Sequence, residues 1–309
     1  MQRSRKFRAR WVPVLALSSL AIAAVAPAAS SPAAAASPAL RVTHVFPPVV
    51  AAGTQHGQVT LSGAGFVDGT TITVSGTGVE TSGVVFATAN VLGVVLRVHH
   101  NAPLTARTLL LHTPDGAVHR CHDCLTIVAQ PTSTDAYPAT VGQNAHGALM
   151  LVHGTGFDQY VGGVIDNGVH VRSAGAPYST SVVLTIDVER DAAPGPRDVE
   201  IVNYSYGRTV CVACLTVTPR PTLTSIEPPT LAHGTQHATL TVTGSGFQQD
   251  LNFAVAERGV YTESVVVMSD TQAIVTVSVS PYARLRYANV VLENPDHGKS
   301  KALDAFRIT

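Results

Sequence analysis

The sequence predicts an all-β protein: three tandem antiparallel β-sandwiches that follow an N-terminal leader. Three observations lead to this prediction. The composition favours Val, Thr, Gly and Pro, with only 13% charged and 6% aromatic residues, which is typical of short strands joined by tight turns. Apolar and polar residues alternate along much of the chain. One ordered set of motifs also returns three times at a fixed spacing.

Residues 1–36 are predicted to be a secretory signal peptide and a leader rich in Ala, Pro and Ser. Basic residues precede Trp11, an apolar run follows over 11–26, and small residues then offer two cleavage sites. This order is the signature of an exported protein. An uncleaved membrane anchor is the alternative, but the run is short for a span and contains Pro13. The basic residues are Arg3, Arg5, Lys6, Arg8 and Arg10, and the sites are Ala26-Pro27-Ala28 and Ala34-Ala35-Ala36.

The chain has a formal net charge of zero, but the part after the leader is acidic. Without the five basic leader residues, 15 basic residues face 20 acidic ones, a net charge of −5. Such a charge gives no general attraction to nucleic acid or to an anionic membrane, and we expect neither as a partner. After the leader, lysine occurs only at Lys299 and Lys301. This use of Arg for Lys, with abundant Ala, is typical of a GC-rich bacterial genome.

Internal repeats define the domain organisation. The motif Gly-x-Gly-Phe occurs three times, and its phenylalanines Phe66, Phe157 and Phe247 lie 91 and 90 residues apart. Three copies at one period indicate three repeats. We predict that these repeats occupy 42–129, 131–218 and 222–309. The linkers between them are short and contain proline, which predicts a stiff, extended row.

Within each repeat the hydrophobic period is two residues, as in strands with one buried face. Val59 and Leu61 alternate with polar residues in the first repeat, Leu184 begins such a run in the second, and Val275 does so in the third. Turn signals such as Pro114-Asp115-Gly116 separate the runs. About seven short strands in each repeat predict a two-sheet antiparallel sandwich. Each repeated phenylalanine is expected to plug one end of its core.

This ordered set of motifs resembles an IPT/TIG-type immunoglobulin-like repeat. The set comprises a Pro-Pro or Tyr-Pro start, an alternating strand, Gly-x-Gly-Phe and a late turn such as Asn294-Pro295-Asp296-His297-Gly298. The resemblance covers about 42–309, and the middle copy departs most, with Tyr137-Pro138 at its start. It implies small sandwich domains for binding or spacing, found in exported bacterial surface proteins, receptor ectodomains and some intracellular DNA-binding proteins. The resemblance implies no catalytic residues. The leader and the acidic charge indicate an exported member of the family rather than an intracellular DNA-binding one.

Four cysteines form two Cys-x-x-Cys pairs at equivalent positions of the first two repeats, 90 residues apart. An even number in an exported chain favours two local disulfides, Cys121–Cys124 and Cys211–Cys214. Zinc is one alternative, but a Cys₄ site would have to join separate repeats. Redox chemistry is another, but the thioredoxin-like strand-to-helix context is absent. The third repeat has alanine at both positions, as expected if two cysteines act as one covalent unit.

The chain has thirteen histidines, all after the leader, and some of them could form a metal site. His119 and His122 flank Cys121 in a segment that could hold zinc or copper. They have no counterparts in the second repeat, and oxidised cysteines do not ligate metal. His56, His146 and His237 recur at one position of the repeat, which indicates a structural role. We therefore predict no metal and no other cofactor.

The sequence contains no recognisable catalytic constellation: no Gly-x-Ser-x-Gly, no His-Glu-x-x-His and no phosphate-binding loop. We expect a non-enzymatic exported adhesion or binding protein, secreted or held non-covalently at a bacterial surface, with no membrane span after the leader. A passive spacer or envelope component and a polysaccharide-binding accessory protein are the alternatives. The partner is an unidentified protein or polysaccharide. No Trp follows the leader, so sugar stacking would fall to tyrosines, and the candidate binding residues are Tyr204, Tyr206, Tyr282 and Tyr287.

Overall fold

A computed structural model describes residues 38–309. The predicted signal peptide and leader, 1–36, lie outside the described residues. Within the described range the chain forms 24 β-strands and no helix. The predicted all-β fold is therefore confirmed.

The strands fall into three groups of eight, one group in each repeat. The first group is β1 (Arg41–Phe46), β2 (Val49–Ala51), β3 (Gly57–Ala64), β4 (Thr71–Val74), β5 (Val79–Thr88), β6 (Val91–Val98), β7 (Ala106–His112) and β8 (Val118–Val128). The second is β9 (Thr132–Tyr137), β10 (Thr140–Gly142), β11 (Ala148–Thr155), β12 (Val161–Val164), β13 (Val169–Tyr178), β14 (Ser181–Val188), β15 (Gly195–Asn203) and β16 (Arg208–Thr218). The third is β17 (Thr222–Glu227), β18 (Thr230–Leu231), β19 (Ala238–Ser245), β20 (Asn252–Val255), β21 (Val260–Ser269), β22 (Gln272–Val279), β23 (Tyr287–Glu293) and β24 (Lys299–Ile308).

Each repeat forms two four-stranded sheets. In the first repeat their strand orders are β1-β3-β6-β5 and β2-β8-β7-β4, and the other two repeats follow the same orders. Neighbouring strands are antiparallel, except that the short second strand of each repeat pairs in parallel with the last one, as β2 does with β8. A sheet of the first, second, fifth and fourth main strands facing a sheet of the third, sixth and seventh is immunoglobulin-like.

The chain changes sheets at a proline near the start of each repeat. The peptide bonds Phe46-Pro47, Tyr137-Pro138 and Glu227-Pro228 are cis and lie between the first strand and the short second strand. The first strand pairs in one sheet, and the short strand after the proline pairs in the other. The start of each repeat thereby contributes hydrogen bonds to both sheets.

Three hydrophobic cores lie between the paired sheets. Their buried residues run from Val50 to Ile127, from Ala136 to Val217 and from Ile226 to Ile308. Each run falls inside one of the ranges that the sequence predicts for a repeat. The phenylalanine of every Gly-x-Gly-Phe motif is buried in its own core, as expected. Burying such a side chain contributes about 1.5–3 kcal/mol.

The two glycines of the motif have separate structural reasons. A Cβ atom on Gly63 would lie 1.9 Å from the carbonyl oxygen of Arg41 on the neighbouring strand, so no larger residue fits there. Gly65 has a φ of +73°, in the left-handed region that favours glycine. The second and third repeats show the same 1.9 Å approach and the same sign of φ. The motif therefore encodes a close strand approach followed by a left-handed turn.

Candidate functional site

The turn between β15 and β16 of the second repeat lies against the first repeat. The backbone amide of Ala51 donates to the carbonyl of Ser205 at 2.8 Å. The hydroxyl of Tyr206 donates to the carbonyl of Gln58 at 2.8 Å. Tyr206 has a φ of +66° and closes the turn by donating its amide to the carbonyl of Asn203. The two repeats therefore meet through hydrogen bonds that involve backbone groups of the first.

Three aromatic side chains meet at this junction, and we call them the aromatic surface: Phe46, Tyr160 and Tyr204. They come from three segments, with Phe46 in the first repeat and both tyrosines in the second. The ring centroids of Phe46 and Tyr204 lie 5.1 Å apart, and those of Tyr160 and Tyr204 lie 6.4 Å apart. All three stay exposed, by 58%, 70% and 43%. An exposed cluster of this kind offers ring faces to a ligand.

A shallow cleft of 300 Å³ continues the aromatic surface along the second repeat. Its lining comes from the start of β12 and the end of β15, and Tyr160 and Tyr204 flank these strands at its edge. The strand residues are Val161, Gly162, Val202 and Asn203. Gly162 leaves the floor of the cleft without a side chain. Rings beside a groove can hold a sugar ring or an apolar side chain of a protein partner.

Tyr206 points to the other side of the same turn and belongs to a second cleft. This cleft measures 360 Å³, and its lining includes His56, Gln130, Tyr206 and Arg208. The side chain of Gln130 joins the two repeats there, since its Nε2 donates to the carbonyl of Ala52 and its Oε1 accepts from the amide of Arg208 at 2.6 Å. The half-buried Tyr206 therefore contacts the first repeat, whereas Tyr204 presents its ring to solvent.

The other two candidate tyrosines lie in the third repeat. Tyr282, in the loop after β22, is 93% exposed. Tyr287 begins β23, and the guanidinium of Arg307 lies 5.3 Å from its ring centroid. The structure thus places Tyr204 in the aromatic surface and Tyr282 and Tyr287 outside it.

Sequence reasoning missed Phe46 and Tyr160 as members of the aromatic surface. Phe46 is the residue before the cis-proline, where the other repeats have Tyr137 and Glu227. The change of residue type at this position from one repeat to the next was the signal in the sequence that could have identified Phe46. Tyr160 follows the Gly-x-Gly-Phe motif of the second repeat and has no aromatic counterpart in the other two.

Both cysteine pairs lie at disulfide distance. The Cα atoms of Cys121 and Cys124 are 5.8 Å apart, and those of Cys211 and Cys214 are 5.5 Å apart, within the usual range for a disulfide. Each pair lies in the last strand of its repeat. Among residues 38–309, no group of three or more His, Cys, Asp and Glu side chains could hold a metal ion.

Two of the recurring histidines lie beside a carboxylate. Nδ1 of His237 is 2.8 Å from Glu263, whose other oxygen accepts from the hydroxyl of Ser278 at 2.5 Å. The hydrogen bond from Ser278, and then that from His237, lowers the pKa of Glu263. His146 lies 3.8 Å from Asp187. Each histidine lies in the loop just before a strand, β11 or β19, and each carboxylate lies on a strand of the same sheet, β14 or β21.

No helix of the described residues is long and apolar enough to cross a membrane. No protein-family profile matches the chain. No curated protein sequence matches it either.

Several solved structures share a similar course of the chain. The plexin A4 extracellular region is 14% identical with a TM-score of 0.42 and matches over 79% of this chain and 21% of its own. The I9–I11 tandem of titin is 10% identical with a TM-score of 0.33 and matches over 84% of this chain and 95% of its own. A third structure is SGBP-B of the Bacteroides ovatus mixed-linkage glucan utilization locus, in complex with a mixed-linkage heptasaccharide. It is 10% identical with a TM-score of 0.21 and matches over 86% of this chain and 70% of its own. The chain spans about a fifth and a third of the two plexin structures it matches. At these identities the likeness is one of fold only.

Proposed function

We propose that this chain is a non-enzymatic exported binding protein whose immunoglobulin-like repeats present the aromatic surface to a protein or a polysaccharide. We include in the proposal that the repeats are of IPT/TIG type and that the protein acts outside a bacterial cell, secreted or held non-covalently at its surface. The exposed cluster of Phe46, Tyr160 and Tyr204 is the observation that carries the proposal. The disulfide-distance cysteine pairs support an oxidising compartment.

A binding role explains the aromatic surface better than a purely structural one. A passive spacer needs the hydrogen bonds at the junction, and Tyr206 and Gln130 supply them. It does not need Tyr160, whose ring is 70% exposed and adds little to the packing of the repeats. Aromatic side chains are the commonest energetic anchors of protein interfaces and of sugar stacking. Tyr160 is therefore the residue that separates the two roles.

Substitution of Tyr160 tests the proposal. The protein without its leader is applied to a glycan array and to a panel of immobilised extracellular proteins. We expect saturable binding to one class of ligand, and Tyr160→Ala should weaken it at least tenfold, which corresponds to about 1.4 kcal/mol. Tyr178→Ala is the matched control, since Tyr178 lies at the end of β13 with a similar exposure of 72%.

The outcomes separate the candidate functions. Sugar binding that depends on Tyr160 supports the polysaccharide-binding form of the proposal, and protein binding that depends on it supports adhesion. If neither array retains the protein, or if Tyr160→Ala and Tyr178→Ala have equal effects, the aromatic surface is no binding site. The passive spacer then takes its place.

A further inference from the structure

The end of the third repeat around the loop after β22 differs chemically from the equivalent ends of the other two. In the first two repeats an arginine on the sixth main strand, Arg107 or Arg197, is buried and donates to a backbone carbonyl of the preceding loop. The third repeat has Ala288 at this register position. Its arginines lie instead on the surface of the adjoining loop, at Arg284 and Arg286.

We call this surface the arginine end and define it by Arg258, Arg284, Arg286, Arg307, Tyr282, Leu285 and Tyr287. Arg258 and Arg284 line one cleft of 540 Å³ together with Ala256 and Glu257. Glu257 already has a partner, because Nε of Arg286 lies 3.4 Å from its carboxylate. Among the described residues, neither Arg258 nor Arg284 has a carboxylate within 4.0 Å. The cleft therefore holds two arginines without a counterion.

The arginine end concentrates positive charge in an otherwise acidic chain. It holds four arginines, with Glu257 as the one acidic residue that lines its cleft, whereas the chain after the leader carries a net charge of −5. Like charges that share a cleft repel one another, and an anion between them relieves that repulsion. Arginine also offers a planar fork of donors that fits the two oxygens of a carboxylate or phosphate. The cleft is thus arranged for an acidic group.

Exposed side chains of Tyr282, Leu285 and Tyr287 lie close in sequence to Arg284 and Arg286. Tyr282 is almost fully exposed at the tip of the loop, and Leu285 in the same loop is also exposed. Tyr287 is held by Arg307 over its ring and keeps about half of its surface in solvent. Tyrosine faces can stack on the CH groups of sugar rings while their hydroxyls stay in water. A flat lipid surface would need neither a cleft nor free ring faces.

We propose that the arginine end binds an acidic polysaccharide, with its carboxylates on Arg258 and Arg284 and a sugar ring on Tyr282. This site lies in a different repeat from the aromatic surface and uses none of its residues. It stands or falls independently of the function proposed above.

The test uses polygalacturonate, a polymer of uronic acid, as the probe and the chain without its leader as the protein. We expect saturable binding that weakens steeply between low and physiological salt, because the contacts are ionic. Arg258→Gln combined with Arg284→Gln should raise the Kd at least tenfold, and Tyr282→Ala should raise it several-fold. Arg190→Gln is the matched control, since Arg190 is exposed in the equivalent loop of the second repeat.

Three further probes test whether the arginine end binds another class of ligand: neutral dextran, vesicles of phosphatidylglycerol, and a single-stranded oligonucleotide. Equal binding of dextran would remove the role of the arginines. Tighter binding of the vesicles or the oligonucleotide than of polygalacturonate would overturn the choice of a polysaccharide. Equal affinities of the double variant and the Arg190→Gln control would overturn the site itself. Polygalacturonate binding that Tyr160→Ala weakens as much as the double arginine variant would place the ligand on the aromatic surface and overturn the arginine end.

Discussion

One buried asparagine holds the turn that joins the first two repeats. Nδ2 of Asn203 donates to the carbonyl of Gly156 at 2.7 Å, and its Oδ1 accepts from the amide of Asp158 at 3.2 Å. Asn294 makes the equivalent two bonds in the third repeat. The side chain thus ties the β15–β16 turn to the segment that follows Gly-x-Gly-Phe. The position of Tyr204 and Tyr206 depends on this tie.

We predict that Asn203→Ala lowers the free energy of unfolding by about 1–2 kcal/mol, because two hydrogen bonds of a buried side chain are lost. Urea denaturation of the purified protein measures the change. Asn101→Ala is the control, since Asn101 is exposed, and it should stay within about 0.5 kcal/mol of the parent. Equal stabilities of the two variants would contradict the role given to Asn203.

Asp187 links stability to pH through its contacts on β14. The guanidinium of Arg172 donates to its carboxylate, and the amide of Gly147 donates to it at 2.8 Å. The hydrogen bond from Arg172 chiefly lowers the pKa of Asp187. A carboxylate with a lowered folded pKa stabilises the protein above its unfolded pKa of about 3.9. That stabilisation is lost as the pH falls through the folded value.

Asp187→Asn should therefore reduce the acid sensitivity of the protein. We expect the parent to lose more Tm than the variant when the pH is lowered from 6 to below about 3. Asp191→Asn serves as the control, since Asp191 is exposed in the loop that follows β14. The same pH dependence in the parent and in Asp187→Asn would refute the assignment.

The candidate tyrosines show how far single residues could be identified before the fold was known. Tyr204 and Tyr282 follow from the composition, because the chain after the leader has tyrosine but no tryptophan for stacking. Phe46 and Tyr160 could not be found in this way, since both are far from Tyr204 in sequence; Phe46 meets Tyr204 across the junction, and Tyr160 meets it within the second repeat. The arginine end was missed because net charge averages over the chain and hides a local cluster.

At the scale of the strand, the cysteine pairs span a bulge that the fold makes without them. The residue before the second cysteine has a positive φ, +51° at Asp123 and +52° at Ala213. Asp304 has a φ of +50° at the same place in β24, where Ala302 and Ala305 take the positions of the two cysteines. The alternation along the strands, the buried phenylalanine of Gly-x-Gly-Phe and the disulfide distance within each Cys-x-x-Cys pair could all be predicted, because each depends on local sequence. This bulge could not, because most aspartates and alanines have negative φ, so neither residue by itself marks a left-handed position.

We predict intact disulfides Cys121–Cys124 and Cys211–Cys214 in secreted protein, to be checked by peptide mapping without reduction. Replacing Cys121 and Cys124 together by alanine should cost no more than about 2 kcal/mol, because so short a loop removes little entropy from the unfolded chain. The variant should keep the bulge, as the third repeat does. Free thiols, a Cys124–Cys211 link or stoichiometric zinc in the parent protein would each contradict the prediction.

At the scale of the whole molecule, the two junctions repeat one contact. The amide of Ala51 donates to the carbonyl of Ser205 at the first junction, and that of Gly142 donates to the carbonyl of Asp296 at the second, both at 2.8 Å. A side chain bridges each junction: Gln130 bonds both repeats at the first, and Nδ2 of Asn144 donates to the carbonyl of Lys299 at 3.0 Å at the second. Because the same contact joins each pair of successive repeats, it gives both pairs the same relative orientation, as in other tandem arrays.

The last prediction concerns the stiffness of the row of repeats. Gln143 accepts from the amide of Arg220 at 3.2 Å and donates to the carbonyl of Ala192 at 2.7 Å, so it ties the second linker to the second repeat. Gln130 bonds both the first and the second repeat. We expect small-angle scattering of the chain without its leader to give the long maximum dimension of an extended row. Gln130→Ala combined with Gln143→Ala should broaden the distribution of dimensions while leaving the far-ultraviolet dichroism unchanged.

Gln249→Ala is the control, because Gln249 bonds within its own repeat, to the carbonyl of Val267. It should scatter like the parent protein, since it removes a hydrogen bond without touching a junction. Proline in both linkers limits how far the double variant can loosen, because its ring fixes φ and biases the preceding residue to extended geometry. We therefore expect a wider spread of interdomain angles and no collapse. A parent protein with the maximum dimension of one compact domain of the same length would refute the row, and with it the idea that the junctions hold the two proposed binding surfaces apart.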